Sequence, residues 1–406
     1  MLSRHFGHCR WVYNWGLSTK IVSYKETGKS PSKFDLSSLL PGMKKSEETS
    51  WLKEVNAQSL QASLENLDMA FNAFFKKKKG FPKFKSKYNS EQSFTIPSGV
   101  EVDFDHGRVK LPKFKEPLKV KLSRKFEGQI KKATVSKNAS NEYYVSILVE
   151  DFLELPAKPV LTSKEDILGI DVGLKDFCIT SDGEVISNPK FLRSKQNRMK
   201  LLQRRLSHKK KGSKNRKKAQ LKVARLHQKV VNQRTDFLHK VSTRLIRENQ
   251  AVAREDLNVQ GMMENHKLAR AISDVSWSQF DSMLKYKSDW YGKWFLKIGR
   301  FDASSKIGNE CSHYNSSLTL NQREWTCPDC GIVYDRDLNA ARNIRDWAFI
   351  SHQKLDSVPT GSGEVKSVRL RQRHNDIQRK PKGIAPGEVS VGQKEELVRA
   401  SESPTL

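Results

Sequence analysis

Long apolar runs are missing from this chain. None of its 406 residues belongs to an uninterrupted apolar stretch of 18 or more, and no secretory-type leader opens it. A membrane-spanning helix and export are therefore not expected, and the chain reads as cytoplasmic, with no membrane partner. Cysteine is scarce and odd in number, five in all, with three between positions 311 and 330. That pattern argues against a disulfide framework and for metal ligation in a reducing compartment. No repeat of fixed period occurs, which excludes a solenoid or array. Acid is under-represented: 45 Asp and Glu stand against 74 Lys and Arg, for a net charge of +29. A polyanion is the expected partner, nucleic acid before any other. With hydrophobic residues at 36%, the chain can still bury sizeable cores, and its length suits two to four domains.

The hydrophobic period divides the chain. Over 1–90 it is helical: Phe6, Cys9, Val12 and Tyr13 form one stripe, and Leu60, Leu64, Leu67, Phe71, Phe74 and Phe75 a stronger one. The second stripe runs into Lys76, Lys77, Lys78, Lys79, Lys83 and Lys85, interleaved with Phe81 and Phe84. Such a strip is either a solvated basic turn or a surface for phosphates and unstacked bases. Over 91–160 the period falls to two, as in Leu118 to Leu122 and Tyr143 to Val149, with turn signals at Asp105–Gly107 and Lys137–Asn141. This predicts a small antiparallel β domain, with a barrel as the expected closure.

From 161 onward, Ile167–Gly173, Phe177–Thr180 and Glu184–Ile186 read as successive strands, with two helices after them. Between Val185 and Thr235 no acid occurs in 51 residues, while eighteen Lys and Arg do. Unopposed cations at that density repel one another at low salt, and a bound phosphate backbone relieves the repulsion. Arg198, Arg204, Arg205, Lys209, Lys210, Lys211, Lys214, Arg216, Lys217 and Lys218 are the candidate contacts. After Ile350 the composition turns to Ser, Gly, Pro and mixed charge, predicting a disordered tail over 350–406.

Three acids stand at the edges of elements expected to share a core: Asp171 after Ile167-Leu-Gly-Ile, Glu255 after Ala251-Val-Ala-Arg, and Asp337 in Asp335-Arg-Asp-Leu-Asn-Ala-Ala. Each has an ordinary explanation alone, as a turn residue, a surface acid or a helix cap, and Asp335 suits the cap. Brought together, they would repel by about 4 kcal/mol per pair at contact in a partly screened site, a cost that cations offset. Hard oxygen ligands suit Mg²⁺ or Mn²⁺, and two such ions about 3.5–4 Å apart are the usual apparatus of phosphodiester hydrolysis.

The ordered set of motifs resembles the TnpB, or OrfB-type, family encoded by bacterial insertion sequences, RNA-guided DNA endonucleases related to the type V CRISPR nucleases. The segments that carry the resemblance are Phe6–Trp15, Gly80–Lys85, Gly169–Leu174, Glu255–Gly261, Asn265–Ser273, Arg323–Cys330 and Asp335–Ala341. The resemblance implies an α+β multidomain chain: a helical recognition region over 1–90, a wedge-like, OB-like β-barrel over 91–160, and a RuvC-type, RNase H-like α/β nuclease domain over 161–303 and 336–349. It implies a zinc-ribbon-like insert over 304–335. Asp171, Glu255 and Asp337 would be the catalytic ligands of Mg²⁺ or Mn²⁺, and Cys311, Cys327 and Cys330 ligands of zinc, with His313 a candidate fourth. Partners would be a guide RNA from the element's end and target DNA, in the bacterial cytoplasm at the nucleoid.

Two departures from the family pattern stand out. Members open with a strand-forming segment ahead of the first helix, whereas Met1 here falls almost at that helix, so the barrel is expected to lack a strand. The first of two Cys-x-x-Cys pairs reads Gly308-Asn-Glu-Cys311, so glycine stands where a zinc ligand is expected. The expected function is RNA-guided DNA cleavage by two-metal hydrolysis. The alternatives are a truncated or inactive copy that only binds RNA or DNA, and an autonomous transposase.

Overall fold

Glycine at position 16 lets two helices meet near the start of the chain. In the computed structural model, which describes residues 1–89, 91–300, 302, 304–319 and 321–356, a Cβ at Gly16 would come 2.7 Å from Leu64 Cδ2. Helix α1 (Leu2–Thr27) therefore seats closely on α3 (Ala57–Phe75), with α2 (Lys33–Lys45) beside them. Ser32 and Asp35 start α2 with a reciprocal capping box, and Asn56 caps α3 by accepting from Gln58 N–H at 2.9 Å. Phe6, Cys9, Val12 and Tyr13 are buried on α1, as are Leu60, Leu64 and Leu67 on α3. The end of the second stripe is different, for Phe75 is 71% exposed.

Six strands follow: β1 (Gln92–Ile96), β2 (Glu101–Asp103), β3 (Arg108–Lys110), β4 (Leu118–Lys119), β5 (Gln129–Lys137) and β6 (Tyr143–Glu150). Both predicted turns occur, between β2 and β3 and between β5 and β6, with Gly107 and Asn141 at positive φ. The expected barrel does not form. Among the described residues the strands make two separate antiparallel sheets, ordered β1-β5-β6 and β2-β3-β4. The reason lies in what covers the apolar faces. Phe94, Ile96, Val109, Ala133 and Val135 share one core with Phe6, Leu60 and Leu64, so the sheets are roofed by helices rather than closed on each other. Alternation dictates a half-buried strand and leaves open what buries it.

The second core surrounds a five-stranded sheet of order β11-β10-β7-β8-β9. Strands β7 (Ile167–Val172), β8 (Asp176–Thr180) and β9 (Val185–Ser187) are antiparallel neighbours. Helices α4 (Phe191–Ser207) and α5 (Lys214–Glu248) then lead to β10 (Ala251–Glu255), which runs parallel to β7. Two short helices, α6 (Val259–Met262) and α7 (Ala269–Val275), precede α8 (Trp277–Trp290) and β11 (Trp294–Ile298), parallel to β10. A small hairpin of β12 (Glu324–Thr326) and β13 (Val333–Asp335) leads into α9 (Arg336–Asp356).

Strand parity sorts the side chains of this sheet. Leu168, Ile170 and Val252 pack with Leu238, Leu245, Phe280 and Leu284 of α5 and α8. Ile167, Ala251 and Ala253 pack with Ile344 and Ala348 of α9 on the opposite face. The approach of α9 is close enough to require glycine at 169, where a Cβ would fall 2.1 Å from the Ala341 carbonyl oxygen. Helix α9 continues to Asp356, into the stretch read as a tail. The rest of that stretch, 357–406, lies outside the described residues. Among the described residues no helix is long and apolar enough to cross a membrane.

Candidate active site

The parity that puts Ile167 and Gly169 under α9 also puts Asp171 there, and Ala251 and Ala253 carry Glu255 to the same face. The β7–β10 register pairs Ile170 with Arg254, so one further step brings Asp171 and Glu255 side by side at the strands' ends. Asp337 lies in the first turn of α9. Asp335 caps that turn, accepting from Asp337 N–H at 3.0 Å and Leu338 N–H at 2.8 Å, so the Asp337 side chain is not spent on capping.

Electrostatics reflects the gathering. Burial, then the charges of Glu255 and Asp337, push the Asp171 carboxyl up to about 8, against the pull of Arg336 and Arg254. Burial raises Glu255 as well, opposed by a hydrogen bond from Ser304 and by the charge of Arg254. Ser304 Oγ donates to Glu255 Oε1. Asp337 receives Arg323 on one oxygen and, on the other, Arg336 Nε at 3.0 Å and Nη2 at 2.8 Å. The acids are neighbours but do not form a tight cage. Among the described residues, the group of three ligand side chains with donor atoms all within 4.8 Å is a different one. An all-oxygen set, only partly countered by Arg254, Arg323 and Arg336, suits a hard divalent cation.

That other group is Cys311, Cys327 and Cys330. Cys311 and Cys327 Sγ lie 3.5 Å apart, and the Tyr334 hydroxyl is 3.7 Å from Cys311 Sγ and 3.9 Å from Cys330 Sγ. The backbone amide of His313 leads the effects that lower the Cys311 thiol to about 7, which favours the thiolate a soft metal needs. His313 itself is not brought in. Its Nδ1 lies 2.6 Å from Asp329 Oδ2, and the ring stays outside the thiol group.

The candidate cations fall into two sets. Arg198, Arg204, Arg205, Lys209, Lys210, Lys211, Lys214, Lys217 and Lys218 are exposed on α4, α5 and their connection, as are Lys76, Lys77, Lys78, Lys79 and Lys83 after α3. None of these makes an ion pair among the described residues. Arg216 and Lys85 do structural work instead. Arg216 Nη1 donates to the Leu206 and Lys209 carbonyls at 3.1 and 2.9 Å, bracing the turn between the helices. Lys85 Nζ sits 4.0 Å from the Tyr13 ring centroid while its backbone amide and carbonyl both bond Asn14.

Sequence reasoning passed over several residues that shape the site. Arg254 is fully buried against Asp281 of α8, directly behind Glu255. A lone charge in the apolar strand Ala251–Ala253 was the available signal. Asn339 and Asn343, one turn apart on α9, grip the loop that holds Ser304. Asn343 Nδ2 donates to the Ser304 and Ile307 carbonyls at 2.7 and 2.6 Å, and Asn339 Nδ2 to Ile307 at 2.7 Å.

Family models match three stretches of the chain: a "probable transposase" family of OrfB type over 147–266, a Cas12f1-like TNB domain over 277–344, and a helix-turn-helix domain over 1–29. A protein of Streptomyces pristinaespiralis named "Putative RNA-guided DNA endonuclease" is 44% identical over 345 residues, 84% of each chain. InsQ of Escherichia coli K12, which carries the same description, is 32% identical over 358 residues, 84% of this chain and 87% of its own. A solved Cas12f1–sgRNA–target DNA complex resembles the fold at TM-score 0.52 and 16% identity, over 85% of this chain and 82% of that one. The shared fold is an α+β assembly of helices and several small sheets. With this degree of identity over most of both lengths, joined to the acids on one face of the β7–β10 sheet, the chain belongs to the TnpB, or OrfB-type, family of insertion-sequence-encoded proteins.

Proposed function

We propose that this protein is an RNA-guided DNA endonuclease that hydrolyses phosphodiesters with divalent metal at Asp171, Glu255 and Asp337. What supports the reading is that strand parity and the start of α9 direct these carboxylates to one face, where burial first, and then the charges of Glu255 and Asp337, raise Asp171. Relatives at 44% and 32% identity named as RNA-guided DNA endonucleases support it. The sheet order β11-β10-β7-β8-β9, antiparallel on one side and parallel on the other, with helices on both faces, suits a RuvC-type, RNase H-like nuclease domain over 161–303 and 336–349. In this reading 1–90 is the recognition region, 91–160 the wedge, and 304–335 a zinc-binding insert.

Mg²⁺ or Mn²⁺, when bound, supplies Lewis acidity toward the phosphate and makes coordinated water more acidic. The chain's own groups do the rest. Asp171, Glu255 and Asp337 would hold the ion as carboxylates, and Ser304 orients the Glu255 carboxylate. Arg323 and Arg336 flank Asp337 with positive charge, suited to an anionic backbone at the same place. The acid-free stretch over 185–235, which supplies α4 and the first two-thirds of α5, grips the phosphates of guide and target, so that base pairing reads sequence while the protein holds backbone and shape. Cys311, Cys327 and Cys330 are the proposed zinc ligands.

The test is direct. Full-length protein purified with RNA transcribed from the end of its element is incubated with a matched plasmid and Mg²⁺. Cleavage that is lost with Asp171→Ala and with a mismatched target is the expected result. An intact plasmid, with RNA and target both shown to be bound, would overturn nuclease activity.

A further inference from the structure

The thiol site has three sulfurs where a closed structural zinc takes four ligands, and the residue at the missing corner is glycine. Resting on the zinc reading above, we propose that the Tyr334 phenol oxygen completes this site, making it a three-sulfur, one-oxygen centre. Three observations carry the assignment. The first is distance: Tyr334 Oη lies 3.7 Å from Cys311 Sγ and 3.9 Å from Cys330 Sγ, while Cys311 and Cys327 Sγ are 3.5 Å apart. A zinc tetrahedron with bonds of about 2.3 Å to sulfur and about 2.0 Å to oxygen has edges of about 3.8 Å between sulfurs and about 3.5 Å from sulfur to oxygen. The observed spacings therefore fit around one ion with shifts of a few tenths of an ångström.

The second is occupancy. A Cβ added to Gly308 would come 3.1 Å from Cys311 Sγ and equally 3.1 Å from both Cε2 and the hydroxyl of Tyr334. A side chain at 308 and the phenol thus compete for one corner of the site. Glycine cedes it. The third is rigidity. Tyr334 is 6% exposed, sits on β13 and stacks on Trp325 with ring centroids 4.9 Å apart, so its hydroxyl is held toward the sulfurs. The other candidates are engaged elsewhere. The Asn309 amide donates to Asn343 Oδ1 and Asp346 Oδ2, each at 3.0 Å, and the His313 ring is turned to Asp329.

The experiment measures zinc content and zinc affinity of the full-length protein by chelator competition, with cobalt(II) as a spectroscopic substitute. Wild type is expected to hold one zinc per chain, and its cobalt form to show charge-transfer absorption for three thiolates. Tyr334→Phe should weaken zinc by about tenfold to a hundredfold, the scale on which even outer partners of a metal site act. Adding Gly308→Cys to Tyr334→Phe should restore affinity and raise the cobalt absorption to a four-thiolate level. Zinc-loaded wild type with unchanged affinity in Tyr334→Phe, or with the loss appearing in His313→Ala instead, overturns the tyrosine assignment and leaves the zinc reading standing. Zinc-free wild type overturns both. Should Tyr334→Phe not fold, the unmutated protein still tests the assignment: zinc binding is expected to shift a tyrosine band in the ultraviolet difference spectrum, and a zinc-loaded protein without that shift refutes tyrosine ligation.

Discussion

Gly169→Ala tests whether the closeness of α9 to β7 builds the acidic site. The added methyl would stand 2.1 Å from the Ala341 carbonyl oxygen, 2.8 Å from Arg345 N and 2.9 Å from Arg345 Cβ. Two of these are backbone atoms, so no rotamer change relieves the overlap, and α9 must retreat by about 1 Å to restore ordinary contact. Overpacking of this kind costs about 1–3 kcal/mol, and a main-chain clash belongs at the upper end. The retreat carries Asp337 with it, while Asp171 and Glu255 stay on their strands. A displacement of about 1 Å at a reacting centre costs on the order of a hundredfold in rate. Denaturant unfolding and single-turnover cleavage with pre-bound RNA and target would measure the two effects separately. A variant within about 0.5 kcal/mol of wild type, cutting at the wild-type rate, would refute the claim that this contact positions the third acid.

Asp171→Asn should stabilise metal-free protein. A carboxyl raised from 3.8 to about 8 is protonated in both folded and unfolded states below the lower value, so its cost appears as pH rises through that window. At pH 7 the cost is on the order of 4 kcal/mol, roughly halved once water reaches the half-buried group. Unfolding in EDTA should show the variant more stable at pH 7–8 and equal near pH 4, with no further gain from Mg²⁺, and a variant less stable at neutral pH would contradict this. Replacing Lys209, Lys210 and Lys211 by alanine should flatten the salt dependence of nucleic-acid binding by about 0.9 log–log unit per lost duplex phosphate contact; an unchanged slope removes these lysines from the interface. Arg254→Met removes the buried partner of Asp281 but leaves it Lys297 at 3.1 Å, so the loss should be about 1–3 kcal/mol, and Arg254→Met with Asp281→Leu should recover part of it, as measured by urea unfolding. A loss in the double variant equal to the sum of the Arg254→Met and Asp281→Leu losses would mean the pair is not coupled.

Much of the fold could be read from periodicity, because one-sided burial writes a period of 3.6 or 2 into the residues. The stripe on α1 and the alternation along β6 are of this kind. What periodicity cannot carry is the identity of the covering partner, and the barrel expectation failed there: Phe94, Ile96 and Val135 meet α1 and α3 rather than the far side of a barrel. Charge runs have a similar blind spot. Arg216 and Lys85 look like their neighbours in sequence, yet one braces a turn and the other lies over Tyr13, a choice set by tertiary contacts. Arg254 was hidden for a related reason, since its partner Asp281 comes from a helix 27 residues away. The cysteines were plain from spacing, but the phenol beside them depends on the β12–β13 pairing that turns Tyr334 inward.

The loop from Ser304 to Asn309 is pinned by Asn339 and Asn343, sends a hydroxyl to Glu255, and leads within two residues to Cys311. Its length is therefore a shared measure for two sites of different chemistry. Removal of a single residue there would misalign an oxygen centre and a sulfur centre in one stroke. Among related genes, this short stretch should tolerate substitutions at the half-buried Ser305 and Lys306 while refusing insertions and deletions.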